Sequence, residues 1–245
     1  MKLRSVIFAA AIDKETARQQ WNDRFNNRAP AARNPGKVEV RASSANPDTT
    51  EIMVYDEIGY WGTTAKEFNE ALAGISTSNI TVRLNSPGGD VFDGHAIYNA
   101  LQAHPASITC QVDGLAASAA SIIALAGNKV VMADNALLMC HCAWSFAFGN
   151  KSNMLETASV LEKIDAKLAG IYSKKSGKSV NDCLAMMAGE GKNDGTWFTA
   201  EEAKAFGLID EISGSDDEED PSAAEAAMMQ RIQANRRRLA IAERD

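Results

Sequence analysis

A chain of 245 residues that is 45% hydrophobic and 23% charged is long enough for one large α/β core with appendages. Its net charge of -7 argues against a nucleic-acid partner held by bulk electrostatics, because phosphate binding needs concentrated Lys and Arg. No apolar stretch approaches the roughly 18 residues needed to span a bilayer, so no membrane partner is expected.

The chain opens with MKLRSVIFAAAI, basic residues ahead of a short apolar run. Asp13, Lys14 and Glu15 follow where a signal peptide would carry its small-residue cleavage site, so the run reads as a strand and the expected location is cytoplasmic. Thr16 to Asp48 is rich in Arg, Asn, Ala and Pro, with little apolar periodicity after Trp21 and Phe25. Residues 1–50 are therefore expected to form a strand and a loosely ordered arm.

From Glu51 the character changes. EIMVYDEIG reads as a strand, and TTAKEFNEALAGI follows with helical spacing at Phe68, Leu72 and Ile75. NITVRLNS is a second strand, VFDGHAIYNALQAH a helix, ITCQVD a strand, LAASAASIIALAG a helix, and KVVMA and ALLMC two more strands. Such alternation predicts a mostly parallel sheet with helices packed on it. A long amphipathic helix is predicted from Ser152 to Ser176, ending at Gly177. Shorter helices follow in SVNDCLAMMAG and TAEEAKAFG, before the strand-like LIDEI. After Ile212 an acidic run reads as a solvated linker, and the segment from Ser222 onward as a helix outside the core. The expected domain is thus 51–213, with 214–245 as linker and helical tail.

Four cysteines, Cys110, Cys140, Cys142 and Cys183, lack a framework spacing. On a strand, Cys140 and Cys142 point to one face and His141 to the other, which disfavours a metal site, and the thiols read as buried and reduced.

Two segments carry the small-residue patterns of a reactive site. NSPGGD, residues 85–90, joins a strand to a helix: either its paired glycines let backbone N–H groups approach a bound group, or it is an ordinary turn. DGLAASAAS, residues 113–121, places Ser118 near a helix start, where N–H groups stabilise negative charge. A Ser among alanines is equally a tolerant packing position, and the pattern is not the G-x-S-x-G elbow. A nucleophile needs a base. Of the three histidines, His104 precedes Pro105 in a polar turn, His95 reads as a helix-surface residue, and His141 closes an apolar strand that can aim it at Ser118.

NSPGG, then G-L-A-A-S, then an apolar strand ending in M-C-H, then WFTAEEAKAFGLID, in this order over Glu51 to Ile212, resembles the proteolytic subunit of the Clp protease. The resemblance implies a ClpP/crotonase-like α/β fold, a β-superhelix of layered sheets with flanking helices and a protruding handle helix, here Ser152 to Ser176. It implies a serine endopeptidase with Ser118 as nucleophile and His141 as base, an oxyanion hole from the N–H groups of Gly89 and Ala119, and no metal or other cofactor. Its partners would be protein or peptide substrates and further copies of the chain in a ring. The third triad position departs from the family: Gly195 stands where an Asp is usual, with Asp194 one residue earlier, so either a short gap restores Asp194 or another group orients the imidazole. Asp210, in GLID, matches a structural position. The added flanks and EIMVYDEIGYWG resemble the Clp-related head maturation proteases of tailed phages, which trim capsid and scaffold proteins in the prohead. The alternatives are a degradative subunit working with an ATPase, an inactive scaffold that Gly195 would permit, and the related Ser/Lys signal-peptide peptidase, against which the M-C-H strand end argues.

Overall fold

The computed structural model describes residues 38–189, 195–214 and 222–242. The strand expected at the N-terminus, most of the arm, Asp194 and the acidic linker lie outside the described residues.

The elements run β1 (Glu39–Ala42), β2 (Thr49–Val54), α1 (Ala65–Ala73), β3 (Asn79–Ser86), α2 (Val91–Ala103), β4 (Ser107–Ala117), α3 (Ala119–Ala124), β5 (Lys129–Ala133) and β6 (Leu137–Cys140). They continue with α4 (Lys151–Ser176), α5 (Val180–Ala188), β7 (Thr196–Phe198), α6 (Ala200–Phe206), β8 (Glu211–Ser213) and α7 (Ser222–Ala242). Among the described residues, Ala143–Ile164 belong to one compact unit and the others to a second. In the first unit the start of α4 is exposed at Met154 and Leu155, and Trp144 meets Phe146 edge to face in the preceding segment.

The second unit holds the sheet, in the order β1-β2-β3-β4-β5-β8. Strands β2 to β5 and β8 pair in parallel, and β1 adds an antiparallel edge opposite β2. The residues before Asp48 thus include a strand where a loose arm was expected, because Glu39 to Ala42 find the open edge of β2. Along β3 the side chains of Ile80, Val82, Leu84 and Ser86 are buried while the intervening ones are not, the period-two signature of a strand with one covered face. On the uncovered face Arg83 donates from Nε and Nη2 to the two carboxylate oxygens of Asp113, and the Tyr55 hydroxyl donates to Oδ2 at 2.5 Å. These three groups tie the ends of β2, β3 and β4 together.

Several helices start on a local signal. Thr64 with Glu67 and Thr199 with Glu202 form capping boxes for α1 and α6, and Asp90 caps α2 by accepting from the N–H groups of Phe92 and Asp93. The end of β4 and the last helix also differ from the sequence expectation. LAA, read as the start of a helix, extends β4, because Leu115 to Ala117 pair with β6. The last helix, expected outside the core, packs on α5 and α6: Met228 and Ile232, one turn apart, are 1% exposed, and Asn235 follows on the same face with Nδ2 3.5 Å from the Ala185 carbonyl. Arg231 and Arg236 pair with Glu202 and Asp182 at the rim.

Candidate active site

Strand β4 pairs with β3 along one edge and shares its other edge between two partners. Thr109 to Val112 pair with β5, while Leu115 to Ala117 pair with β6, so the sheet forks along β4. Because β4 and β6 run parallel and in register, their next residues emerge side by side at one end. Those residues are Ser118 and Cys140, followed by His141. The Ser118 N–H donates to the Met139 carbonyl at 2.9 Å, which closes the last rung, and His141 Nε2 lies 2.7 Å from Ser118 Oγ. The two residues singled out from the sequence are therefore a hydrogen-bonded pair.

Ser118 is the only non-glycine residue with positive φ among the described residues, at φ 55 and ψ -126. Such a conformation costs about 1–3 kcal/mol and persists only where its surroundings impose it. It stands at the N-cap of α3 but makes no capping bond through its side chain, which leaves Oγ for His141. Burial holds the His141 imidazole below its ordinary pKa of 6.5, so the ring is neutral at neutral pH, the form in which a ring nitrogen can accept a hydroxyl proton.

The NSPGG turn is locked against this pair. Ser86 is fully buried; its hydroxyl donates to the Asp56 carbonyl and accepts from the Gly88 N–H. Gly88, at φ 86, approaches so closely that a Cβ there would stand 2.7 Å from Ser118 Cβ and 2.8 Å from the Ala119 nitrogen. No side chain fits. The Gly88 carbonyl accepts from the Ile58 N–H at 2.8 Å. In a trans peptide the next N–H points the opposite way, so the Gly89 N–H is turned away from Ile58. Ala119 is the first residue of α3, where N–H groups have no partner within the helix.

Gly195, at φ 79, lies directly against His141: a Cβ there would meet His141 Cβ at 2.5 Å. The position where the family pattern carries Asp is thus filled by backbone, and β7, antiparallel to β6 with Thr196 opposite Cys140, brings it there. Asp210 accepts from the Val130 N–H at 2.7 Å and pairs with Lys175, joining β5 to the end of α4.

The other histidines are elsewhere. His95, expected on the helix surface, is part-buried on α2; its Nδ1 donates to the Val91 carbonyl at 2.8 Å and its Nε2 is buried. His104 is the C-cap residue of α2 and is half-buried, its Nδ1 accepting from the Ala106 N–H. All four cysteines are free, with Cys110, Cys140 and Cys183 buried and Cys142 half-buried beside Asp165. Among the described residues no group of three or more His, Cys, Asp or Glu is placed to hold a metal ion, and no helix is long and apolar enough to cross a membrane.

The sequence reading did not anticipate Ile58, which grips the glycine turn from both sides, since the Asp90 N–H also donates to its carbonyl. Nor did it reach Ser121, whose N–H and hydroxyl both donate to the Ser118 carbonyl, at 2.9 and 2.6 Å. The i, i+3 spacing from Ser118 was the available signal.

Residues 47–216 match the family model described as Clp protease. The ATP-dependent Clp protease proteolytic subunit of Bacteroides fragilis is 32% identical over 191 residues, which cover 73% of this chain and 90% of that protein. Subunit 1 of Leifsonia xyli subsp. xyli is 30% identical over 180 residues, covering 69% and 89%. Among solved structures, a mutant of ClpP1 from Listeria monocytogenes superposes with a TM-score of 0.57 at 21% identity, over 68% of this chain and 92% of that one, which supports the same fold. The chain belongs to the Clp protease family and is a serine-type proteolytic subunit of that kind.

Proposed function

We propose that this chain cleaves peptide bonds through an acyl-enzyme formed on Ser118. The observation that carries the reading is the 2.7 Å contact between Ser118 Oγ and a half-buried, neutral His141. His141 Nε2 takes the Ser118 proton as Oγ attacks the carbonyl carbon, then returns it to the leaving amine; a water repeats the sequence to release the acyl group. The N–H groups of Gly89 and Ala119 receive the oxyanion, supported by the approach of Gly88 to within van der Waals reach of both Ser118 and Ala119. Asp194 orients the imidazole and stabilises its charged form, which accords with Gly195 standing beside His141.

The narrower reading is a head maturation protease that processes capsid or scaffold proteins as a homo-oligomeric ring. It rests on the flanks: residues 1–46 and 217–245 fall outside the family match, and the C-terminal flank is a helix packed on α5 and α6. A degradative subunit is favoured by a different observation, that the similar proteins are ATP-dependent Clp subunits spanning nearly their full length. Incubating the purified ring with a capsid precursor, and separately with an unfolded protein plus a Clp ATPase, separates the two. Defined cuts in the precursor support maturation; ATPase-dependent digestion with no precursor cleavage assigns degradation. Ser118→Ala must abolish either activity and labelling by a fluorophosphonate, and cleavage that survives it refutes the nucleophile.

A further inference from the structure

Behind the Ser118–His141 pair lies a buried polar cluster that the chemistry above does not use. Tyr172 projects from the C-terminal part of α4, in a stripe with Leu168 and Ala169, and is 1% exposed. Its hydroxyl lies 2.7 Å from Ser121 Oγ, and both hydroxyls act on the neighbouring Cys140 thiol. Ser121 and Cys140 are both fully buried. Donor arithmetic fixes the direction of the two hydroxyl bonds. A carbonyl only accepts, so the Ser121 hydroxyl spends its one hydrogen on the Ser118 carbonyl at 2.6 Å. Ser121 Oγ must then accept from the Tyr172 hydroxyl. The chain therefore runs from Tyr172 through Ser121 to the Ser118 carbonyl, with the Cys140 thiol beside its first two members. Burial pushes the Cys140 thiol up to about 12 and the Tyr172 hydroxyl well above 10, so both keep their hydrogens wherever the enzyme works.

The two ends of this cluster are significant. Ser118 is the strained residue, and its carbonyl is fixed by Ser121 alone, through N–H and hydroxyl. Cys140 is the residue immediately before His141. We propose that Tyr172 is a positioning residue for the Ser118–His141 pair, its hydroxyl joining the carbonyl clamp on the nucleophile to the strand end that carries the base. It touches neither substrate nor the reacting atoms and acts through Ser121 and Cys140. The inference rests on the assignment of Ser118 as nucleophile.

The test uses the full chain with Tyr172→Phe, Ser121→Ala and the double variant. It reads thermal unfolding, kcat and KM on a peptide, and the rate of fluorophosphonate labelling below the melting range. Tyr172→Phe keeps the ring and removes the hydroxyl. Loss of the linked bonds should slow labelling and lower kcat about tenfold, with KM within twofold. Ser121→Ala should lose at least as much. The double variant should lose no more than the worse single, since both break one chain. A merely structural tyrosine lowers the melting temperature and leaves the labelling rate of the folded protein within twofold of wild type, and that result overturns the proposal. So do losses that multiply in the double variant. Should Tyr172→Phe not fold, Ser121→Ala decides alone: an unchanged labelling rate refutes the clamp on which the proposal stands. Wild-type protein that cleaves peptide but does not label at Ser118 refutes the nucleophile assignment instead, and the proposal with it.

Discussion

Alanine at Gly88 tests the oxyanion geometry through a single added methyl. The backbone there has φ 86, which costs an L-residue about 1–2 kcal/mol. The methyl would also sit 2.7 Å from Ser118 Cβ and 2.8 Å from the Ala119 nitrogen, where carbon contacts ordinarily settle at about 3.5–4.0 Å. Nearly 1 Å must be found on one side. On one side Ser118 is fixed by its bonds to Met139 and Ser121; on the other the turn is fixed by Ile58 and Ser86. Whichever yields, the Gly89 N–H and Ser118 Oγ move apart from a common target. Removal of one oxyanion donor lowers kcat about 10²–10³-fold. Gly88→Ala should therefore reduce kcat by that factor with a small change in KM, while circular dichroism shows a folded protein. Gly177→Ala is the control: φ is 71, but nothing lies within 4 Å, so it carries the strain without the contact. It should lower stability by about 1 kcal/mol and leave kcat unchanged. A folded Gly88→Ala variant with kcat within threefold of wild type would refute the placement of the oxyanion at this turn.

His141→Ala should cost several orders of magnitude in kcat, whereas His95→Ala should cost about 1 kcal/mol of stability for its bond to Val91 and leave peptide hydrolysis within a few-fold; equal losses would remove His141 from its role. Since burial lowers the His141 pKa, the acid limb of kcat/KM should have its midpoint below 6.5, measured by rates across pH 4–8 as an order-of-magnitude window. The unfolded chain takes up that proton first, so the same group makes stability fall as pH drops below about 6.5, a trend that urea titrations should show. Asp194→Asn should lower turnover by about 10⁴ with KM nearly unchanged, and a turnover within a few-fold of wild type would give the orienting role to another group. Deleting residues 215–245 removes Met228 and Ile232 from their buried sites, each worth about 1.5–3 kcal/mol, and should lower the unfolding midpoint clearly; an unchanged midpoint would show α7 to be dispensable to the fold.

The central elements were legible because each carries its own local signal. β3 alternates, α1 repeats Phe68 and Leu72 on one face behind a Thr64 cap, and α4 runs from Lys151 to Ser176 up to Gly177. The elements misread depend on distant partners. β7 is three residues long and has no periodicity to display; it is a strand because Thr196 to Phe198 pair with β6. LAA looks helical by composition and becomes strand because the fork of the sheet supplies β6 as a neighbour. α7 is rich in alanine and shows no single strong apolar stripe, so Met228, Ile232 and Asn235 identify themselves as buried only against α5 and α6.

At the site, pattern located the residues but not the forces that hold them. Ser118 and His141 could be named because a small-residue turn and a strand-ending histidine are visible one residue at a time. What sets their distance is the parallel register of β4 and β6, which involves pairings between residues 22 apart and leaves no mark in the local sequence. The same holds for Gly195. Read along the chain it is a missing carboxylate; in space it is the one residue type that permits β7 to close on His141, since a Cβ would strike the base itself. An aspartate placed there would displace the imidazole it was meant to orient. A glycine at this position accords with how closely the strand approaches. A carboxylate that serves His141 has to reach it from a neighbouring position, and Gly195→Asp should impair the enzyme, with lower kcat and a lower unfolding midpoint. Higher turnover in that variant would show that β7 can withdraw and that position 195 is the triad position after all.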